Sequence, residues 1–148
     1  MKESILRGKT EARFTPKAKI ENPNGEVRKY LGTDLGDPKS FKEVYFSRLL
    51  PGKSKKWKCN KNQSQNLTSA VGRISVICIQ ACAEGYIYEE FLIDDEENFG
   101  VLVVPAGLIY GLFTDKQGAL IVNSLTDAYT DSDALTVANT FDLAPTLL

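Results

Sequence analysis

Residues Trp57 to Gly72 read W-K-C-N-K-N-Q-S-Q-N-L-T-S-A-V-G, and a second stretch answers them downstream, Val103 to Phe113, V-V-P-A-G-L-I-Y-G-L-F. Each sits between runs that read as β-strands. Upstream, Phe41 to Leu50 alternates: Val44 and Phe46 point one way, Tyr45, Ser47 and Leu49 the other. That period of two predicts a strand, and Pro51-Gly52 turns it. Downstream, Arg73 to Gln80 carries Ile74, Val76 and Cys78 on one face and Ile77 and Ile79 on the other. Both faces are apolar, so this strand is expected between two layers. Tyr86 to Ile93 is rich in aromatic and β-branched residues. Val101 to Val104 and Ala119 to Val122 read as short apolar strands, with Gly107 and Gly111 punctuating the segment between. Asn22-Pro23-Asn24-Gly25, Asp34 to Ser40 and the acidic run Asp94 to Asn98 read as loops. No long window places apolar residues at helical spacing. Many short strands with regular turns predict an all-β sandwich or barrel.

Composition narrows the chemistry. The chain of 148 residues is expected to form one domain with one hydrophobic core. A net charge of −1 gives no electrostatic argument for nucleic acid. No run approaches the roughly 20 apolar residues that span a membrane. The opening M-K-E-S-I-L-R-G-K lacks an apolar signal-peptide core, so the cytoplasm is the expected compartment and the three cysteines are expected to be reduced. There is no histidine. That excludes Ser-His-Asp and Cys-His catalysis and any histidine metal site. Cys78-x-x-x-Cys82 has no partner ligands at zinc spacing, and no metal or cofactor is expected.

The lysines are more informative. Lys53, Lys55, Lys56, Lys58 and Lys61 crowd one short segment. Held at one end of a barrel, such a cluster can neutralise a diphosphate; left in a loop, it is a solvated basic stretch. Trp57 interrupts it. The indole reads either as a half-buried packing group or as an apolar face beside a base or sugar ring.

The order W-x-x-x-K, N-L-T-x-x-x-G-R, V-P-x-G-x-x-x-G resembles the cupin family of sugar-nucleotide epimerases typified by dTDP-4-dehydrorhamnose 3,5-epimerase. The likeness runs from about Asn22 to Asp142. Glu43-Val44-Tyr45-Phe46-Ser47 matches the strand E-V-Y-F-S of one branch, and Pro51-Gly52 its following turn. Where that branch continues K-G-W-H-x-H-K, this chain has Lys55-Lys56-Trp57-Lys58-Cys59-Asn60-Lys61. The resemblance therefore puts Lys58 at the position of the catalytic base and Asn60 at that of the second histidine. Asn66-Leu67-Thr68 and Gly72-Arg73 match N-L-T and G-R. Val104-Pro105-x-Gly107 matches P-P-G, and Tyr110 takes the place of the histidine in W-H-G-F. Asn123, Tyr129 and Asp133 match N-x-P-x-x-x-Y-x-x-x-D, where the family's acid is the tyrosine. In the opening turn, Asn24 stands where a substrate-contacting arginine is expected.

The resemblance implies a cupin or jelly-roll β-barrel that binds a nucleotide sugar and is dimeric. It implies Lys58 and Tyr129 as catalytic residues. It implies substrate contacts from Lys55, Trp57, Asn60, Lys61, Asn66, Arg73, Tyr110 and Asn123. In the parent chemistry a ketone at C4 acidifies the hydrogens at C3 and C5; a base removes one and an acid returns a proton to the other face. An ordinary lysine, with a pKa near ~10.4, is neutral in under roughly one molecule in a thousand at pH 7. Lys58 acts as a base only if burial and neighbouring lysines lower its pKa; otherwise it is a charged contact to the ligand. Three functions are compatible: an epimerase or isomerase with an altered site, a non-catalytic cupin that binds a nucleotide sugar, and a cupin for an unrelated ligand such as a sugar acid.

Overall fold

The computed structural model describes residues 4–32, 41–125, 134–136 and 141–148. The expected loop at Asp34 to Ser40 lies outside them. The described strands are β1 (Ile5–Arg7), β2 (Arg13–Pro16), β3 (Lys19–Asn22), β4 (Gly25–Arg28), β5 (Glu43–Leu49), β6 (Ser54–Asn60), β7 (Gln65–Cys82), β8 (Gly85–Asp94), β9 (Gly100–Val104), β10 (Ile109–Leu125) and β11 (Ala134–Thr136). Among the described residues there is no helix, and hence none long and apolar enough to cross a membrane.

Two long strands organise the molecule. β7 and β10 pair antiparallel along nearly their whole length, from Ile109↔Ile79 to Leu125↔Gln65. Midway the ladder breaks between Thr114 and Ala119. Gly72 and Gly118 sit at this corner with φ of 91° and 78°, conformations that L side chains rarely adopt. A Cβ on Gly72 would stand 2.4 Å from the Gly118 carbonyl oxygen. The corner lets both strands pass from one sheet into the other. On one side of it the order is β1-β8-β7-β10-β6-β11; on the other, β5 pairs β10, and β9 and then β2 extend from β7. β1 joins β8 in parallel; β3 and β4 form a separate hairpin.

The two halves close over one core. Leu49, Leu67 and Ile121 from one half meet Ile74, Val76, Cys78 and Leu112 from the other. The opposite face of the β7–β10 half is also covered. Trp57, Ile77, Ile79 and Phe113 form a second buried cluster, roofed by Ile5, Tyr86, Phe141 and Leu143. This is why both faces of Arg73 to Gln80 are apolar. The tail over this cluster is fastened by Glu90, whose carboxylate accepts bonds from Thr146 N (2.9 Å), Thr146 Oγ1 (2.8 Å) and Leu147 N (2.9 Å).

The strands expected from Phe41, Arg73, Tyr86 and Val101 onward are present. The difference lies in the two stretches between them. Ser54–Asn60 and Gln65–Gly72 are themselves strand, and the expected short strand at Ala119 is the end of the 17-residue β10. Lysines, asparagines, glutamines and serines interrupt the apolar alternation there. The backbone ladder continues regardless, because it needs only N–H and C=O groups.

Candidate functional site

The site begins with an irregularity in β6. Tyr110 of β10 faces Lys58, but Leu112, two residues on, faces Lys55, three residues back. Lys56 and Trp57 together therefore oppose Gly111, a β-bulge with one extra residue on β6. Their connecting peptide is cis. In a regular strand, positions three apart point to opposite faces. The bulge cancels that, and Lys55 and Lys58 both share the face of Tyr110 and Leu112. Cross-strand pairing carries this face on to Cys78 and Val76 of β7, which belong to the core. The lysines thus stand on the inner wall of the barrel, Lys55 half-buried and Lys58 exposed at its mouth.

The facing wall is β5 with the end of β10. Along β5 the alternation runs polar inward and apolar outward. Glu43, Tyr45 and Ser47 are partly buried, while Val44 and Phe46 remain 56% and 68% exposed. Lys55 Nζ crosses between the walls and donates to Ser47 Oγ at 2.7 Å. At the next inner position the Tyr45 hydroxyl accepts from Asn123 Nδ2 at 2.8 Å, and the same amide donates to Gln65 Oε1. Asn123 Oδ1 accepts from Asn66 N at 3.2 Å. Gln65 Nε2 is buried with no hydrogen-bond partner among the described residues. Burial raises the Tyr45 pKa despite the Asn123 bond. Partial burial, and then the charge of Lys55, lower the Lys58 pKa from the ordinary lysine value.

Lys55, Lys58 and Tyr110 therefore share one wall, with Asn123 on the wall opposite. Asn60 lies buried at the end of β6, its carbonyl accepting from Gly107 N at 2.8 Å. Lys61 is exposed in the bend just beyond. Three other residues point elsewhere. Trp57 has 0% exposure, and the bulge turns it to the outer cluster, against Phe113 at 5.9 Å and Phe141 at 6.0 Å between ring centroids. It presents no ring face at the mouth. Asn66 lies one position off the inner row, donating from Nδ2 to Ser124 O at 3.0 Å and accepting at its carbonyl from the Tyr30 hydroxyl. Arg73 sits beside the corner, paired to Asp94 at 2.9 Å. It is five residues along β7 from Cys78, roughly 17 Å in an extended strand. Tyr129 and Asp133 lie outside the described residues. Sequence reasoning did not single out Tyr45, Ser47 or Gln65 as site residues. The signal was the inverted alternation of β5, polar inside and apolar outside.

A cavity of about 520 Å³ lies on the other side of the β5–β10–β7 half, lined by Arg28, Tyr30, Thr68, Val71 and Phe99 among others. Arg28 there is engaged by Glu26 and by Asp95 at 3.5 Å. The β3–β4 hairpin contributes one wall of the cavity, and Thr68 and Val122 line it from strand positions that alternate with the inward ones.

Two sheets closed over one core, with a polar mouth at one end, define a cupin-type β-barrel. Solved structures place it more closely. Over 90% of both chains it is similar to a dTDP-sugar isomerase from Desulfovibrio desulfuricans G20, with a TM-score of 0.81 and 22% identity. It is similar to the RmlC epimerase of Mycobacterium tuberculosis over 90% of this chain and 73% of that one, with a TM-score of 0.77 and 14% identity. It is also similar to ChmJ, a 3'-monoepimerase from Streptomyces bikiniensis solved with dTDP-quinovose, over 86% of this chain and 70% of that one, with a TM-score of 0.76 and 13% identity. No family profile and no curated protein sequence matches. The chain has the cupin fold of the dTDP-sugar isomerases and epimerases.

Proposed function

We propose that the chain binds a nucleotide-activated 4-keto-6-deoxy sugar at the mouth between β6 and β5, and epimerises or isomerises it with a histidine-free site for glycan synthesis. The observation that carries this reading is the pair of lysines on the inner wall, one of them bonded to Ser47 on the wall that also carries Tyr45 and Asn123. Two cations suit a diphosphate, and the hydroxyls and amides suit a sugar. The shared fold with proteins that act on dTDP sugars supports the ligand class. In this reading Lys58 meets the sugar ring, Lys55 and Lys61 the diphosphate, and Tyr129 returns the proton.

Calorimetric titration with dTDP-4-keto-6-deoxyglucose, followed by hydrogen exchange at C3 or C5 in heavy water, tests it. Binding is expected, with slow exchange that climbs with pH as neutral lysine accumulates; Lys58→Met abolishes the exchange. Binding without exchange from roughly pH 6 to 9 supports instead a binding cupin. That second reading is favoured by Tyr110 and Cys78, which fill the wall behind Lys58 as core residues. Absence of binding removes both.

We also infer a homodimer. Val44, Phe46 and Val71 are 56%, 68% and 59% exposed on the outer face of the β5–β10–β7 half, an apolar surface that suits a second copy. Sedimentation equilibrium is expected to give a dimer, and Phe46→Glu a monomer. A monomeric wild-type chain at high concentration would end the inference.

A further inference from the structure

We propose that Lys58 is a nucleophile towards ligand carbonyls, condensing with the ketone of the bound sugar to form an iminium beside the fixed cation Lys55. The ligand in this statement rests on the function proposed above. The lysine chemistry rests on the bulge.

The bulge sets two lysines on one face of one strand. Lys55 is anchored by Ser47 from the opposite wall. Lys58 stands in the row Lys58–Tyr110–Cys78–Glu89, exposed at the mouth and backed by core. The titratable groups on this face are Lys55, whose charge bears on it, and Tyr110, its partner on β10; Cys78 and Glu89 continue the row on β7 and β8, and Tyr45 and Glu43 occupy the inward positions of β5. Glu89 is three strand spacings away, roughly 14 Å, and holds Thr10 N and Oγ1 at 2.8 and 2.9 Å. None of the ion pairs among the described residues involves Lys55 or Lys58. A lysine beside a second cation, on a wall that partly excludes water, is the arrangement that frees an amine for attack on a carbonyl. The lowered Lys58 pKa agrees with this.

The same charge argument separates the covalent route from simple proton abstraction. As a general base, Lys58 would become an ammonium next to the Lys55 ammonium, and the transfer would work against their repulsion. In the covalent route the neutral amine adds to the carbonyl carbon. The C=O bond is lost as water, with the protons coming from the amine and solvent, and a C=N⁺ iminium forms. The adjacent C–H then breaks, its electron pair moves towards nitrogen, and the proton passes to water at the open mouth. Here a cation beside Lys55 becomes a neutral enamine, so repulsion assists the step. Reprotonation on either face and hydrolysis return the ketone and the free amine.

Sodium cyanoborohydride with dTDP-4-keto-6-deoxyglucose traps such an iminium. The wild-type chain is expected to gain the mass of the ligand less one oxygen (water lost on condensation, two hydrogens gained on reduction), with peptide mapping placing it on Lys58. Lys58→Arg keeps the charge and loses the adduct; Lys55→Met weakens ligand binding and, at ligand concentrations that saturate the variant, moves the onset of the adduct to higher pH. Hydrogen exchange by the wild type without any adduct at Lys58 overturns the inference and leaves the proposed function standing. If the sugar nucleotide does not bind, that function falls, and pyridoxal 5'-phosphate with the same reductant tests the nucleophile alone. Labelling at Lys58 before Lys53, Lys56 and Lys61 upholds it; labelling of all four at equal rates overturns it.

Discussion

Replacing Gly111 by alanine is the sharpest test of the bulge. An added Cβ would meet Trp57 Cζ3 at 2.7 Å and Cε3 at 2.9 Å, and Lys56 Cβ at 3.2 Å. The indole has nowhere to retreat: it is fully buried, with Phe113 and Phe141 against its edges. Gly111 does not have a left-handed φ, so alanine adds no backbone strain. A compatible glycine-to-alanine change gains about 0.4–1 kcal/mol through the unfolded chain. Overpacking costs about 1–3 kcal/mol. The net is a loss of about 1–2 kcal/mol. For a chain of this length that lowers the melting temperature by about 3–8 °C, read by circular dichroism. Trp57→Phe in the same chain gives the indole's space back, so a double-mutant cycle is expected to show a coupling of about 1 kcal/mol in favour of the pair. A Gly111→Ala chain as stable as wild type would refute the close approach, and with it the reason Lys55 and Lys58 share a face.

Three other outcomes follow from the packing. Asn123→Ala strips partners from the Tyr45 hydroxyl, Gln65 Oε1 and Asn66 N, and is expected to cost about 1–3 kcal/mol in urea denaturation; an unchanged midpoint would contradict the network. Burial pushes the Glu90 pKa up, but bonds from Ser75, Thr146 and Leu147 outweigh it, and the folded pKa lies below the ordinary glutamate value. Its contribution is therefore complete above the unfolded pKa and lost as pH falls through the lower folded value. Limited proteolysis should find residues 141–148 protected at neutral pH and released on acidification, whereas Glu90→Gln should loosen them already at neutral pH; equal protection in both chains would exclude the fastening. Exposed Cys82 should react with iodoacetamide in the native state while Cys78, buried and with its thiol pKa raised, waits for unfolding; equal rates at the two cysteines would rule out the core placement.

The β architecture was legible because its strands obey simple periods. Arg73 to Gln80 announced two covered faces with two sets of apolar residues, and β5 announced its sides by alternation. The lengths of β7 and β10 were not legible. Their second halves carry Asn66, Thr68, Ser69, Asn123 and Ser124, buried polar residues that break the apolar pattern without breaking the ladder. The orientation of Trp57 was hidden for another reason. Period-two counting assumes one residue per position, and a single inserted residue reverses every side chain beyond it. The only sequence trace of that reversal is Gly111, fifty-four positions away, and a glycine read as punctuation gives no hint that an indole lies against it.

That reversal also bears on how a barrel of this shape, with no histidine in the chain, has a polar mouth. A lone lysine on such a wall is a poor base, since it stays protonated. Two lysines on the same wall behave differently. One is tied to Ser47 as a hydrogen-bond donor, and its charge disfavours the charge of the other. The burden of neutrality then falls on Lys58, at the solvent-facing end of the row. Without the extra residue in β6, Lys55 would point outward beside Trp57's present position, Ser47 would lose its donor, and Lys58 would be an ordinary surface cation. The bulge, the indole and Gly111 are thus one device. The aromatic ring that the sequence suggested as a ligand contact instead holds the strand offset that brings the two amines together.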